Sequence, residues 1–277
     1  MLKSRMDLIR YAICLALLAT GHVWAQEPQT AVPATTAPAA TSPVTNPYLR
    51  EASITENKGA THISANSPRP LAQVLDALRQ KYGWIVDYED PRYVSTLDVV
   101  ERPGGAIHSL PAGGSFTVDV PADSAATAPP PEDKTLQSIV DAYNQSKNPG
   151  RFELRKNEDR TYLVSGIGAR DENGKVAAQE AIFDLTITMP KQQSSASETL
   201  ELLCQKIAEP SHVKITVGVT PRKIMDYTKV NVGGTKVQAR ILLSRILEAT
   251  GHTMYWRLLF DPDSKGYYLD IHAVQRK

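Results

Sequence analysis

The stretch PLAQVLDALRQKYGWIVDYE, Pro70 to Glu89, decides how the chain is read. Leu71, Val74, Leu75 and Leu78 recur at i, i+3, i+4 and i+7, the spacing of one helix face. Pro70 suits a first helical position, where a missing N–H costs nothing. Gly83 stands where the helix should end, because glycine takes the left-handed conformation of a helix terminus without strain. A strand follows at once. About 130 residues later SETLELLCQKIAEPSHVKITVGV, Ser197 to Val219, has the same outline.

Two further segments carry the helical spacing: Leu136, Ile139, Val140, Tyr143 and Ala239, Leu242, Leu243, Ile246. Thr135 and Thr235 are candidate caps for these helices, Ser195 with Glu198 is a candidate capping box, and Gly251 a candidate terminator. Between the helices the period becomes two. Phe183, Leu185, Ile187 and Met189 form one face of a strand, as do Val213, Ile215, Val217 and Val219. Phe116, Val118, Val120 and then Met254, Trp256, Leu258, Phe260 repeat the pattern, and YYLDIHAV follows the turn DPDSKG. Such alternation predicts half-buried, antiparallel strands. The fold class expected is α+β: two tandem small units, each strand-helix-strand-strand-helix-strand-strand, with both helices on one face of the sheet.

The N-terminus predicts the compartment. Lys3, Arg5 and Arg10 precede the apolar run YAICLALLA, and Val23-Trp24-Ala25 fits a small-residue cleavage site. Residues 1–25 are therefore read as a signal peptide, cleaved between Ala25 and Gln26, and the mature chain as periplasmic or secreted. The run is shorter than the roughly 20 residues that span a bilayer, and no second apolar run of spanning length exists. The bulky Ile13 before Cys14 argues against lipoprotein processing. The whole chain has 31 Lys+Arg against 30 Asp+Glu. Removing the leader takes three basic residues and one acid, which leaves a near-neutral balance with no electrostatic reason to expect nucleic acid. Cys204 is the one thiol left, so no internal disulfide framework is expected, and its place on an apolar helix face reads as a small buried hydrophobe.

Composition marks the boundaries. Residues 26–47 are Pro/Ala/Thr-rich and read as a disordered linker. The first unit is placed at 48–167 with an insertion at about 101–132, a hinge at 168–180, and the second unit at 181–277.

This arrangement resembles the secretin and TonB short N-terminal domain. The resemblance rests on PLAQVLDALRQKYGWIVDYED and KTLQSIVDAYNQSKNPGRFELRKNEDRTYLVS in the first half. In the second it rests on SETLELLCQKIAEPSHVKITVGV, TKVNVGGTKVQARILLSRILEATGHTMYWR and GYYLDIHAV. It is a pattern of hydrophobics and turns covering about two thirds of the mature chain, and the first-half insertion departs from it. Members of that family usually precede an outer-membrane barrel or secretin pore. Lys277 directly follows the last strand here, so pore or receptor function is not carried over. The resemblance implies a periplasmic module touching other envelope proteins, with a secretin or outer-membrane receptor system as the expected partner.

Candidate chemistry is sparse. His62, His108, His212, His252 and His272 show no i, i+4 pair, and no cysteine pair supports them, so no metal site is expected. His252 follows a helix end, where a cation is favourable, and His272 sits on the polar side of the last strand. Val232-Gly-Gly-Thr-Lys236 precedes a helix and could cradle an anion, although a turn with a helix cap explains it more simply. Asp87, Glu89 and Asp90 cluster at a strand end, as hydrolase acid pairs can; a strand end facing water is the nearer explanation. KNEDR, Lys156 to Arg160, reads as a charged hairpin turn, and no Gly-x-Ser-x-Gly elbow occurs. No catalytic, cofactor-binding or metal residue is assigned. The expected function is a non-enzymatic interaction module of the cell envelope. The alternatives are an exported hydrolase-like enzyme with its site between the units, and a self-assembling structural component.

Overall fold

The computed structural model describes residues 51–57, 60–101, 109–121, 130–157 and 161–274. The signal peptide, the 26–47 linker, the insertion's 102–108 and 122–129, His108 and Glu158–Arg160 lie outside the described residues.

The first half runs β1 (Ser53–Asn57), β2 (Ala60–Asn66), α1 (Pro70–Tyr82) and β3 (Val86–Glu89). The insertion contributes β4 (Val99–Glu101) and β5 (Ser109–Pro111), which pair as a ribbon. Then come β6 (Ser115–Pro121), α2 (Glu132–Gln145), β7 (Arg151–Lys156), β8 (Tyr162–Arg170) and β9 (Val176–Ala178). The second half runs β10 (Thr186–Ser195), α3 (Ala196–Ser211), β11 (Ile215–Val217) and α4 (Arg222–Tyr227). It closes with β12 (Lys229–Gln238), α5 (Ala239–Glu248), β13 (Met254–Asp261) and β14 (Gly266–Ala273). The class is mixed α+β.

Both halves use one pairing scheme. The strand before the first helix pairs antiparallel with the strand before the second: β2 with β6, β10 with β12. The strand after the first helix pairs parallel with the last strand: β3 with β8, β11 with β14. The closing hairpins β7–β8 and β13–β14 are antiparallel. The strands of each half thus divide between two sheets instead of forming one. The helix pair α1/α2 shares a buried cluster with residues of both its sheets, among them Ile63 and Phe116 on one side and Val86, Tyr88 and Val164 on the other.

The halves do not stop at their own boundaries. β3 pairs in parallel with β13, Tyr88 opposite Arg257 and Glu89 opposite Leu258. A single seven-stranded sheet results, β11-β14-β13-β3-β8-β7, with β9 on β8. Its pleat sends successive side chains to opposite faces. Val86, Tyr88, Phe152 and Val164 join α1 and α2 on one face. Leu163, Trp256, Leu258 and Leu269 join α3 and α5 on the other. Tyr93, Leu163 and Ala169 of the first half belong to the second cluster, and Leu259 of the second half packs on the first.

The stretch expected to be a hinge is therefore an ordered hairpin. Gly168, Ala169 and Arg170 pair with Ala178, Ala177 and Val176. The Gln179 amide donates to Arg92 O and its carbonyl accepts from Arg92 N. Polar, glycine-containing sequence here builds a turn around Asp171, whose carboxylate accepts from Asn173 N and Lys175 N.

Local signals have mixed outcomes. Gly83 ends α1 at φ 75°, and the Ser195/Glu198 capping box is present. Thr135 is not a cap: α2 begins three residues earlier, after Pro131, and Thr135 is buried within it. Thr235 is not a cap either, because β12 continues to Gln238 before α5 starts.

Candidate functional site

The acids of β3 and its exit were expected to face water. They are buried: Asp87 is 6 %, Glu89 1 % and Asp90 1 % exposed. Each accepts from a backbone N–H of the second half. Asp87 Oδ1 accepts from Trp256 N at 2.9 Å, and Asp90 Oδ2 from Phe260 N at 3.0 Å. Glu89 Oε1 accepts from Ile182 N and, at 3.3 Å, from Phe183 N. A carboxylate accepts several bonds at once, so one strand of alternating acids can satisfy the donors of a strand and a turn that approach it. Asp90 is also paired with Arg69 at 2.6 Å and accepts from the Tyr88 hydroxyl at 2.7 Å. These acidic side chains staple the seam between the halves.

Glu89 is the perturbed member. Burial pushes its carboxyl up to about 8, against the opposing pull of the Ile182 and Phe183 N–H groups. Its Oε2 has no hydrogen-bond partner. Ser165, its register partner on β8, is fully buried and its hydroxyl is also without one.

Two Arg–Asp–Arg triads bracket the seam, one on each face of the sheet. On the α1 side, Asp76 binds Arg79 at 2.7 Å and Arg257 of β13 at 2.7 Å. Arg79 lies 3.3 Å from the centroid of the Tyr255 ring, and His272 stacks on Tyr255 at 4.9 Å. Arg257 lies 2.9 Å from His272 Nε2. A guanidinium only donates, so that nitrogen is the acceptor and the ring is neutral; burial and then the Arg257 charge hold its pKa below the usual histidine value. On the α5 side, Asp184 binds Arg240 of α5 at 2.8 Å and Arg155 of β7, which also pairs with Glu153.

Beside this second triad lies a half-open cleft of about 770 Å³. Arg155 and Lys156 of β7 line one side, and Arg240, Arg245 and Glu248 of α5 the other, with Leu163 and Trp256 beneath. Strand alternation places Arg155 opposite the core face of Phe152, so its direction was legible. That it meets α5 was not, because the meeting depends on β3 pairing with β13.

The other candidates are not brought together. His62 lies 2.7 Å from Asp119 on an exposed sheet face. His212 takes the left-handed conformation at the end of α3, and His252 follows Gly251 past the end of α5. Among the described residues no group of three His, Cys, Asp or Glu could hold a metal. Val232–Lys236 belongs to a bulged strand and does not form an anion cradle: Val232 pairs with Gln192 and Gly234 with Met189. Cys204 is buried, and burial pushes its thiol up to about 12. Among the described residues no helix is long and apolar enough to cross a membrane. Compared with protein families, curated proteins and solved structures, the chain matches none of them.

Proposed function

We propose that the chain is an exported, non-enzymatic module of the cell envelope that binds a partner protein by strand addition. The observation that carries this reading is the outer edge of β6. It is a seven-residue strand in unbroken register with β2, and no other described strand pairs with it. Phe116, Val118 and Val120 anchor it in the core while Ser115, Thr117 and Asp119 are exposed. Natural edges are usually blunted by lysine, a bulge or a central proline. The β10–β12 ribbon has such devices: Lys191, Pro190 and two register shifts. β6 has none before its terminal Pro121. A partner strand would gain main-chain bonds along this edge, with little sequence signature on either side.

The resemblance to the secretin and TonB short N-terminal domain supports an envelope partner, and the charged, apolar and small-residue order of 1–25 supports export. A photoreactive benzoylphenylalanine at Thr117 of the full chain, expressed in its native host, tests the reading. The expected result is a discrete adduct with an envelope protein that is absent when the probe replaces the exposed Lys147 of the α2–β7 connection. Adducts only with a second copy of the chain would favour self-assembly instead. No adduct, or the same one at Lys147, would overturn the proposal.

A further inference from the structure

We infer that the cleft beside α5 is a binding site for a small polyvalent oxyanion, phosphate- or carboxylate-bearing. This goes beyond strand addition at β6 and does not depend on it. Two kinds of cation line the cleft. Arg155 and Arg240 are fixed by their shared partner Asp184, so their planar forks are held in place before any ligand arrives. Each guanidinium has five donors, more than Asp184 and Glu153 occupy on Arg155 or Asp184 and Gln238 on Arg240. Arg245 forms no ion pair with a carboxylate among the described residues, whereas the Lys156 ammonium lies 5.3 Å from the centre of the Tyr162 ring, on the α2 face of the sheet, and adds no charge to the cleft. Glu248 is the one acid among the described lining residues. Asp184 and Glu153 bind Arg155 and Arg240 and leave Arg245 to a ligand.

The volume lies within the roughly 300–1,000 Å³ of small-molecule sites. The walls come from different halves of the chain on one continuous sheet, β7 from the first and α5 from the second, so the cleft exists only because β3 and β13 pair. An oxyanion here would receive charge-assisted bonds from two preorganised arginines and from Arg245, which has no ion-pair partner among the described residues. A purely apolar ligand would leave those cations desolvated and unpaired.

The test uses the full mature chain with sodium pyrophosphate and with sodium citrate as probes, by calorimetry and thermal melting at ionic strength matched with sodium chloride. The expected result is saturable binding of at least one probe, weakened at least tenfold in Arg245→Ala and unchanged in Lys206→Ala on α3. Arg245→Ala breaks no ion pair among the described residues, so the melting temperature without probe should stay near that of the parent. Response to pyrophosphate alone assigns phosphate chemistry, and response to citrate alone assigns carboxylate chemistry. Absence of saturable binding by both probes, or equal binding by Arg245→Ala, would overturn the inference. Failure of strand addition at β6 would leave it standing.

Discussion

Glu89 shows how much a residue's role depends on what lies across the sheet. Its sequence neighbourhood, Val86-Asp-Tyr-Glu-Asp90, alternates apolar and acidic side chains, which is the pattern of a strand with one wet face. The face is dry because a second half of the molecule closes over it, and the acids meet backbone N–H groups in place of water. Nothing local encodes that, since the partners are more than 90 residues away in sequence. The raised pKa has a thermodynamic consequence. Folded Glu89 holds its proton up to about pH 8, while the unfolded chain releases it near 4.5. Below both values the group is neutral in both states and imposes no penalty. As pH rises from about 4.5 the unfolded state gains by ionising and the folded state does not, so stability falls until about pH 8 and then levels. Glu89→Gln keeps an acceptor for Ile182 N and cannot ionise. The variant should lose this slope and exceed the parent by a few kcal/mol at pH 8, measured by urea unfolding from pH 5 to pH 9. A parent and variant with parallel pH profiles would show that the carboxyl is not buried neutral.

At the scale of elements, the four long helices and most strands could be read from periodicity, because each needs only its own apolar stripe. Leu200, Leu203, Cys204 and Ile207 are all buried on α3, as their spacing predicts. Where a polar stretch ends an element is set by more than its own residues. The 168–180 stretch forms a hairpin and Thr235 lies in a strand because polar residues also serve turns and bulged strands, a choice made by pairing partners, whereas Thr135 is no cap because α2 already starts at Glu132. The exit of β3 illustrates the constraint. Gly166 on β8 sits against the chain leaving β3, and an added Cβ would lie 2.2 Å from Pro91 N, a backbone atom that cannot rotate away. Gly166→Ala must push the Asp90–Pro91 segment outward and loosen the Asp90 bonds to Arg69 and Phe260 N. The expected loss is about 1–3 kcal/mol, the usual range for overpacking, seen as a lower urea midpoint at unchanged slope. Gly114→Ala, where a Cβ meets nothing within 4 Å, is the control and should be near neutral.

At the scale of the whole molecule, the repeated helix–strand outline has a different meaning from two independent beads. Each half builds the same pairing scheme, yet β3 and β13 merge the halves into one sheet with a buried cluster on each face. The helix and following strand at each of the two similar hydrophobic patterns were legible from the sequence, because each is written in its own apolar spacing. The fusion was not, because a parallel pair between strands some 170 residues apart leaves no periodic trace in either. The backbone pairing and buried acids across β3–β13 should couple the two clusters energetically. Leu203→Asp tests that coupling. It places a charge at a fully buried position of the second cluster, and an uncompensated buried charge costs several kcal/mol, comparable with the roughly 5–15 kcal/mol that stabilises a domain. Hydrogen exchange should show lost protection in Leu200–Ile207 and, through the seam, in Val86–Glu89 and Leu71–Leu78 of the first half. Circular dichroism should show a single melting transition at lower temperature in place of two. If Leu71–Leu78 kept its protection while Leu200–Ile207 exchanged freely, the two clusters would be separate cooperative units. The β3–β13 pair would then be a contact between them and not the spine of one fold.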